Sequence, residues 1–237
     1  MFWLNIFEKL LIGDAMIYFC RSFKEDNMNY KLDDYIAEHI DSEPEVLIEL
    51  DRAVHRDLLW PRMVSGHLQG RILYMLCKMI NPKCVLELGT FAGYSALCMA
   101  EAMEDNSVLH TIEVNDELEE FSQKFFDKSE HGSKIKLHIG DALEILPKMN
   151  EEFDLVFIDA NKRHYEEYYN LVIEKVRSGG YIIADNILWD GKVAEDVAAK
   201  DKQTQGILAY NKLVKEDDRV EVVILPIRDG LSIARKK

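Results

Sequence analysis

The chain has 237 residues, 48% hydrophobic and 30% charged, enough for one sizeable α/β domain with a full core. Its 43 acids against 29 Lys plus Arg give a net charge of −14, which argues against a dedicated nucleic-acid binder because such a surface repels phosphate backbones. The four cysteines, Cys20, Cys77, Cys84 and Cys98, have neither CxxC nor His-linked metal spacing, and they read as small buried hydrophobes in a reducing, cytoplasmic setting.

From Phe2 to Cys20 the apolar residues are interrupted by Glu8, Lys9 and Asp14. No run reaches the ~18 residues that span a bilayer, so residues 1–27 read as a helical extension with no stable membrane insertion. A fresh helical pattern opens at Met28 and starts a single domain, 28–237, with a helical cap over 28–80. Within the cap, Leu32, Tyr35, Ile36 and Ile40 keep helical spacing, Pro44 opens Glu45–Leu59, and Pro61 closes it. A further helix runs from Gly66 to Asn81.

From Cys84 onward, strands alternate with helices. Strand-like runs occur at Val85–Leu88, Val108–Glu113, Ile135–Ile139, Leu155–Asp159, Tyr181–Asp185, Val220–Leu225 and Leu231–Ala234. Helical patterns fill the gaps at Tyr94–Met103, Asp116–Ser129, Ala142–Met149, Tyr165–Arg177 and Gln203–Lys215. This order predicts an α/β fold: a doubly wound, Rossmann-like seven-stranded sheet, mostly parallel, with helices on both faces. The link Pro226–Gly230 is too short for a parallel crossover, so the last strand should be antiparallel.

The strand ends carry the chemistry. Between the first strand and helix, Gly89 and Gly93 permit a tight turn and a close ligand approach, yet the segment is neither GxGxxG nor a P-loop. Glu113, ending the second strand, can accept hydrogen bonds from both hydroxyls of a ribose. Gly140-Asp141-Ala142 ends the third, where a side chain and a backbone N–H can meet an adenine edge. Two later strands end in acid, at Asp159 and at Asp185-Asn186, and offer three hard oxygen ligands to a divalent cation. Lys162 stands beside them and can take a proton if its pKa is lowered.

The segments Val85–Ser95, Ile112-Glu113, Gly140–Ala142, Phe157–Lys162 and Asp185–Gly191 closely resemble the cation-dependent O-methyltransferases, which include the caffeoyl-CoA and catechol types. The resemblance runs in order from about Met63 to the C-terminus. It implies the class I methyltransferase fold, S-adenosylmethionine as cofactor, and a divalent cation (Mg²⁺, with Mn²⁺ or Ca²⁺ as alternatives) on Asp159, Asp185 and Asn186. By the same similarity Glu87, Gly89, Thr90 and Ser95 surround the cofactor's amino-acid portion and Ser65 closes over it. Glu113 holds the ribose, Asp141 and Ala142 face the adenine, and Asp159 and Lys162 serve catalysis. Trp189, Asp190 and Arg228 are candidates for the acceptor pocket. The acceptor implied is a small hydroxylated aromatic, catechol-like or hydroxycinnamoyl, and the assembly a homodimer. One departure stands out: Asn161 occupies a position where the family usually has an acid. Two other functions compete. A methyltransferase acting on a hydroxylated tRNA base would need a basic strip near Lys162, Arg163 and Lys192, and a silent S-adenosylmethionine-binding module would not need the acids or Lys162.

Overall fold

The computed structural model describes residues 31–237, so the extension 1–27 and the start at Met28 lie outside the described residues. Residues 31–42 belong to one compact unit, with a helix over 31–39, and residues 43–237 form a second that holds every element discussed below. The second unit opens with α1 (Glu45–Asp57) and α2 (Gly66–Ile80), separated by a single turn at Pro61–Met63. Pro44 precedes α1, where its missing N–H costs no helical bond. Asn81 ends α2 in a left-handed conformation, φ 51°, and its N–H returns to the Cys77 carbonyl.

The alternating half follows as β1 (Cys84–Leu88), α3 (Tyr94–Ala102), β2 (Val108–Glu113), α4 (Glu119–Lys128), β3 (Ile135–Ile139), α5 (Ala142–Ile145), β4 (Phe153–Ile158), α6 (Tyr165–Val172), β5 (Val176–Ala184), α7 (Lys202–Glu216), β6 (Val220–Leu225) and β7 (Leu231–Lys236). The strands form one seven-stranded sheet in the order β3-β2-β1-β4-β5-β7-β6. Neighbours from β3 to β5 are parallel, and β7 inserts antiparallel between β5 and β6, as the short Pro226–Gly230 link requires. The chain winds outward from β1 and then back to β4, so the strand order reverses at the β1–β4 boundary. Such a reversal opens a crevice beyond the carboxyl ends of the strands.

Both faces of the sheet are covered, and this accounts for the near-continuous apolar runs. Successive residues divide between the two sides. Val85, Leu155, Phe157 and Ile183 pack with α1 to α4, whereas Leu86, Val156, Ile158 and Ile182 pack with α6 and α7. Cys77 and Cys98 are buried, and burial pushes both thiols up, Cys77 to about 12, which disfavours the thiolate.

Helical patterns depart from expectation most clearly in three places. The run Ala142–Met149 keeps one α-helical turn and then tightens at Leu146–Lys148, because Pro147 has no N–H to extend the ladder. The run Tyr165–Arg177 stops at Val172, since Val176 is recruited to pair with Phe153 and β5 starts earlier than expected. The run Asp116–Ser129 begins as a tight turn, Asp116–Leu118, before α4. No helix among the described residues is long and apolar enough to cross a membrane.

Candidate active site

A cavity of about 700 Å³ opens at the carboxyl ends of β1 to β5, within the range that encloses a drug-sized ligand. The strand ends stay in register one residue beyond the sheet. Gly89 N–H donates to the Ile112 carbonyl at 3.0 Å, Asp159 N–H to Leu88 at 2.8 Å, and Asp185 N–H to Ile158 at 3.0 Å. Gly89 has φ 96°, and a Cβ there would collide with the Asp159 carbonyl oxygen, so glycine is what lets the two strand ends lie side by side.

On the β1–β2 side, the Glu113 carboxylate accepts from Phe91 N–H at 2.7 Å and from Asn115 N–H at 2.9 Å. Those backbone donors fix its position and leave lone pairs for a diol. Asp141 caps α5 by accepting from Leu143 N–H at 2.8 Å. Ser65, Thr90, Ser95 and Ala142 also line this half. Glu87 stands behind it: fully buried, it accepts from Ser95 Oγ and Thr111 Oγ1, each at 2.5 Å, and burial pushes its carboxyl up to about 8. Thr111 is tied in turn to Thr90 at 2.6 Å, so Glu87 reaches the cavity wall through hydroxyls.

The other half contains Asp159, Lys162, Asp185 and Asn186. Lys162 is 7% exposed, and its Nζ donates to Asp159 Oδ1 at 2.7 Å and to the Tyr165 hydroxyl at 2.6 Å. Tyr165 passes its own hydrogen on to the carbonyls of Asp185 and Ile158, at 3.0 and 3.2 Å. Asp185 is 4% exposed and takes hydrogen bonds from Gln69 Nε2 and Asn186 N–H, each at 2.7 Å. Burial, reinforced by the Asp159 charge, raises its carboxyl to about 6. Within this half, two carboxylates, Asp159 and Asp185, stand beside the one ammonium of Lys162. Among the described residues no three of His, Cys, Asp or Glu gather as a ready cage, so a metal here would draw on two carboxylates, the Asn186 amide and ligands from outside the protein. An all-oxygen set of that kind suits a hard cation.

The family model described as O-methyltransferase matches residues 37–237. The chain belongs to the O-methyltransferase family. A caffeoyl-CoA O-methyltransferase of Petroselinum crispum is 35% identical over 205 residues, 82% of this chain and 85% of the relative. Among solved structures, the O-methyltransferase TomG of Streptomyces achromogenes, in complex with SAM and involved in tomaymycin synthesis, superposes with a TM-score of 0.81 at 27% identity, covering 87% of this chain and 96% of that one. The SAH-bound Podospora anserina methyltransferase PaMTH1 gives 0.82 at 27%, covering 89% and 96%. The fold is therefore the class I methyltransferase architecture that the sequence resemblance implies, and in this O-methyltransferase the ends of β1 to β5 line one cavity.

Of the expected site residues, Glu87 and Asp190 stand off the cavity wall. Asp190 is exposed, and its N–H donates to Asp229 Oδ1 at 2.6 Å, so its part here is to tie two loops together. Asn161 caps the turn Lys162–His164 by accepting from Arg163 N–H at 3.2 Å. Trp189 lines the cavity, as does Arg228, whose guanidinium turns toward α2. The basic strip that a tRNA substrate would need loses Lys162 to burial and to its ion pair. Sequence reasoning missed Gln69, Tyr165 and Phe91. Gln69 and Phe91 carry no motif of their own, whereas Tyr165, three residues past Lys162, had a readable spacing.

Proposed function

We propose that the protein transfers a methyl group from S-adenosylmethionine to a hydroxyl of a small catechol-like or hydroxycinnamoyl-type acceptor, with a divalent cation held by Asp159, Asp185 and Asn186. The observation that carries this reading is the buried Asp185 carboxyl facing Asp159 and Lys162 on the wall of the cavity that also holds Gly89 and Glu113. The names of the relatives support the cofactor and the acceptor class. Mg²⁺ suits two carboxylates, an amide and outside oxygens, with Mn²⁺ or Ca²⁺ as alternatives.

S-adenosylmethionine, when bound, supplies the electrophilic methyl. The cation, when bound, supplies a positive charge against which a phenol ionises more readily. The remaining tasks fall to this chain. Glu113 binds the ribose, Asp141 and Ala142 meet the adenine, and Ser65, Gly89, Thr90 and Ser95 surround the amino-acid end, with Glu87 bracing them from behind. Lys162 takes the acceptor's proton at Nζ. Donation to Asp159 Oδ1 and to Tyr165 holds Nζ in place for that task. Trp189 supplies an aromatic wall beside the acceptor.

A labelled methyl-transfer screen with catechols, caffeoyl thioesters and flavonoids tests the reading. Transfer should appear with Mg²⁺ and vanish in chelator, and Asp185→Ala should abolish it while sparing S-adenosylmethionine binding. Full activity in excess chelator would overturn the cation requirement.

A further inference from the structure

Gln69 lies in the first turn of α2 and is 1% exposed. Its Nε2 donates to Asp185 Oδ2 at 2.7 Å, and its Oε1 accepts from Arg228 Nη1 at 2.7 Å. A guanidinium has only hydrogens to offer and a carboxylate only accepts, so the two partners together fix which way the amide faces: carbonyl toward Arg228, NH₂ toward Asp185. Without Arg228 the NH₂ still faces the carboxylate, which only accepts, but the amide loses the anchor on its carbonyl. Arg228 is itself anchored by donating to the Ser65 carbonyl.

The backbone at Arg228 makes the arrangement more pointed. Its φ is 51°, the left-handed region, where a side chain is disfavoured and glycine is the usual occupant. Strain of this kind persists where the surroundings hold the residue in place, and here the β6–β7 link is held on two sides. Leu188 N–H donates to the Asp229 carbonyl at 2.9 Å and Ile187 N–H to the Gly230 carbonyl at 3.2 Å, which joins the link to the loop that follows Asp185. On the other side, Arg228 joins it to α2.

We propose that Arg228 and Gln69 are positioning residues: the guanidinium anchors the Gln69 amide, and the amide holds Asp185 Oδ2, presetting that carboxylate for a divalent cation. Neither residue needs to touch the reacting atoms. The proposal rests on the cation reading above and adds to it a relay that the metal-ligand motif does not contain. It also gives Arg228 a role distinct from direct contact with the acceptor.

Titration of the full, cofactor-free chain with Mn²⁺ alone, followed by electron paramagnetic resonance, separates the possibilities, with thermal unfolding measured in parallel. The wild type should bind Mn²⁺ and Asp185→Ala should not. Gln69→Leu and Arg228→Gly should each weaken binding by about 10- to 100-fold, the usual cost of losing an outer partner of a metal ligand. The double variant should bind no more weakly than Gln69→Leu, because the arginine acts through the amide. Arg228→Gly relieves the left-handed backbone while leaving the Gln69 carbonyl unpaired, so its unfolding midpoint should shift little. This variant therefore stays decisive even if Gln69→Leu folds poorly. Wild-type Mn²⁺ affinity in Arg228→Gly, additive losses in the double variant, or a loss of affinity that merely tracks a falling midpoint would each overturn the relay while leaving the cation site intact. If wild type and Asp185→Ala bind Mn²⁺ equally, the cation reading fails and the relay with it.

Discussion

Lys162 has two partners, Asp159 and Tyr165, and little exposure, so its position is set before any ligand arrives. General-base catalysis typically contributes about 10²–10⁴-fold, and Lys162→Met should lower kcat by that factor with cofactor affinity unchanged. More acidic phenols, which ionise without help, should recover part of the loss. Near-native kcat at neutral pH would hand the proton to solvent instead. Glu87 allows a prediction about pH. Unfolded, it ionises near 4.5, whereas in the fold burial holds the proton up to about 8. Between those values the folded chain carries a proton that the unfolded chain has released, so stability is full below the lower value and falls as pH rises toward the upper one. The slope is on the order of 1 kcal/mol per pH unit. Urea unfolding from pH 5 to 8 should show a shallower decline in Glu87→Gln than in wild type, and identical slopes would mean that Glu87 ionises freely in the fold.

Among the elements, α7 sits closest to the catalytic turn. A Cβ added at Gly206 would run into the Lys162 carbonyl oxygen and the Arg163 backbone. Two effects oppose each other in Gly206→Ala. Helix propensity favours alanine by about 1 kcal/mol, whereas forcing atoms against backbone typically costs about 1–3 kcal/mol. The contacted atoms are main chain and cannot swing aside as a side-chain tip does, so the clash should win. The expected result is a net loss of roughly 1 kcal/mol in urea unfolding, with kcat reduced because the turn carrying Lys162 is displaced. A variant more stable than wild type would show that α7 can retreat without cost.

At the scale of the whole molecule, a ligand that binds only the folded chain adds stability by mass action. S-adenosylhomocysteine at 100 times its Kd should contribute about 2.7 kcal/mol, or about 5–10 °C in Tm for a chain of this size. Glu113 should account for much of that response. A lost charge-assisted hydrogen bond costs about 1.5–3 kcal/mol, so Glu113→Ala should bind ~10- to 100-fold more weakly and keep only about half to one-sixth of the shift at the same concentration. An equal shift in wild type and variant, read by differential scanning fluorimetry, would remove Glu113 from the site.

The division between what the chain announces and what the fold decides follows the range of the interactions. Alternating apolar runs, the glycine turn after β1 and the acids ending β2, β4 and β5 are local signals, and they were enough for the sheet, its antiparallel β7 and the strand-end residues of the cavity. The link Pro226–Gly230 announced the antiparallel strand because so few residues cannot cross the sheet. Helix ends were less legible: Val172 closes α6 only because Val176 finds Phe153 on β4, a pairing between strands. Which partners complete the site was not legible at all. Gln69 meets Asp185 across 116 positions of sequence, and Arg228 reaches Gln69 across 159. No periodicity encodes such encounters. They exist because strand order brings the start of α2, the end of β5 and the β6–β7 link to one rim of the sheet, where a buried carboxylate must find donors.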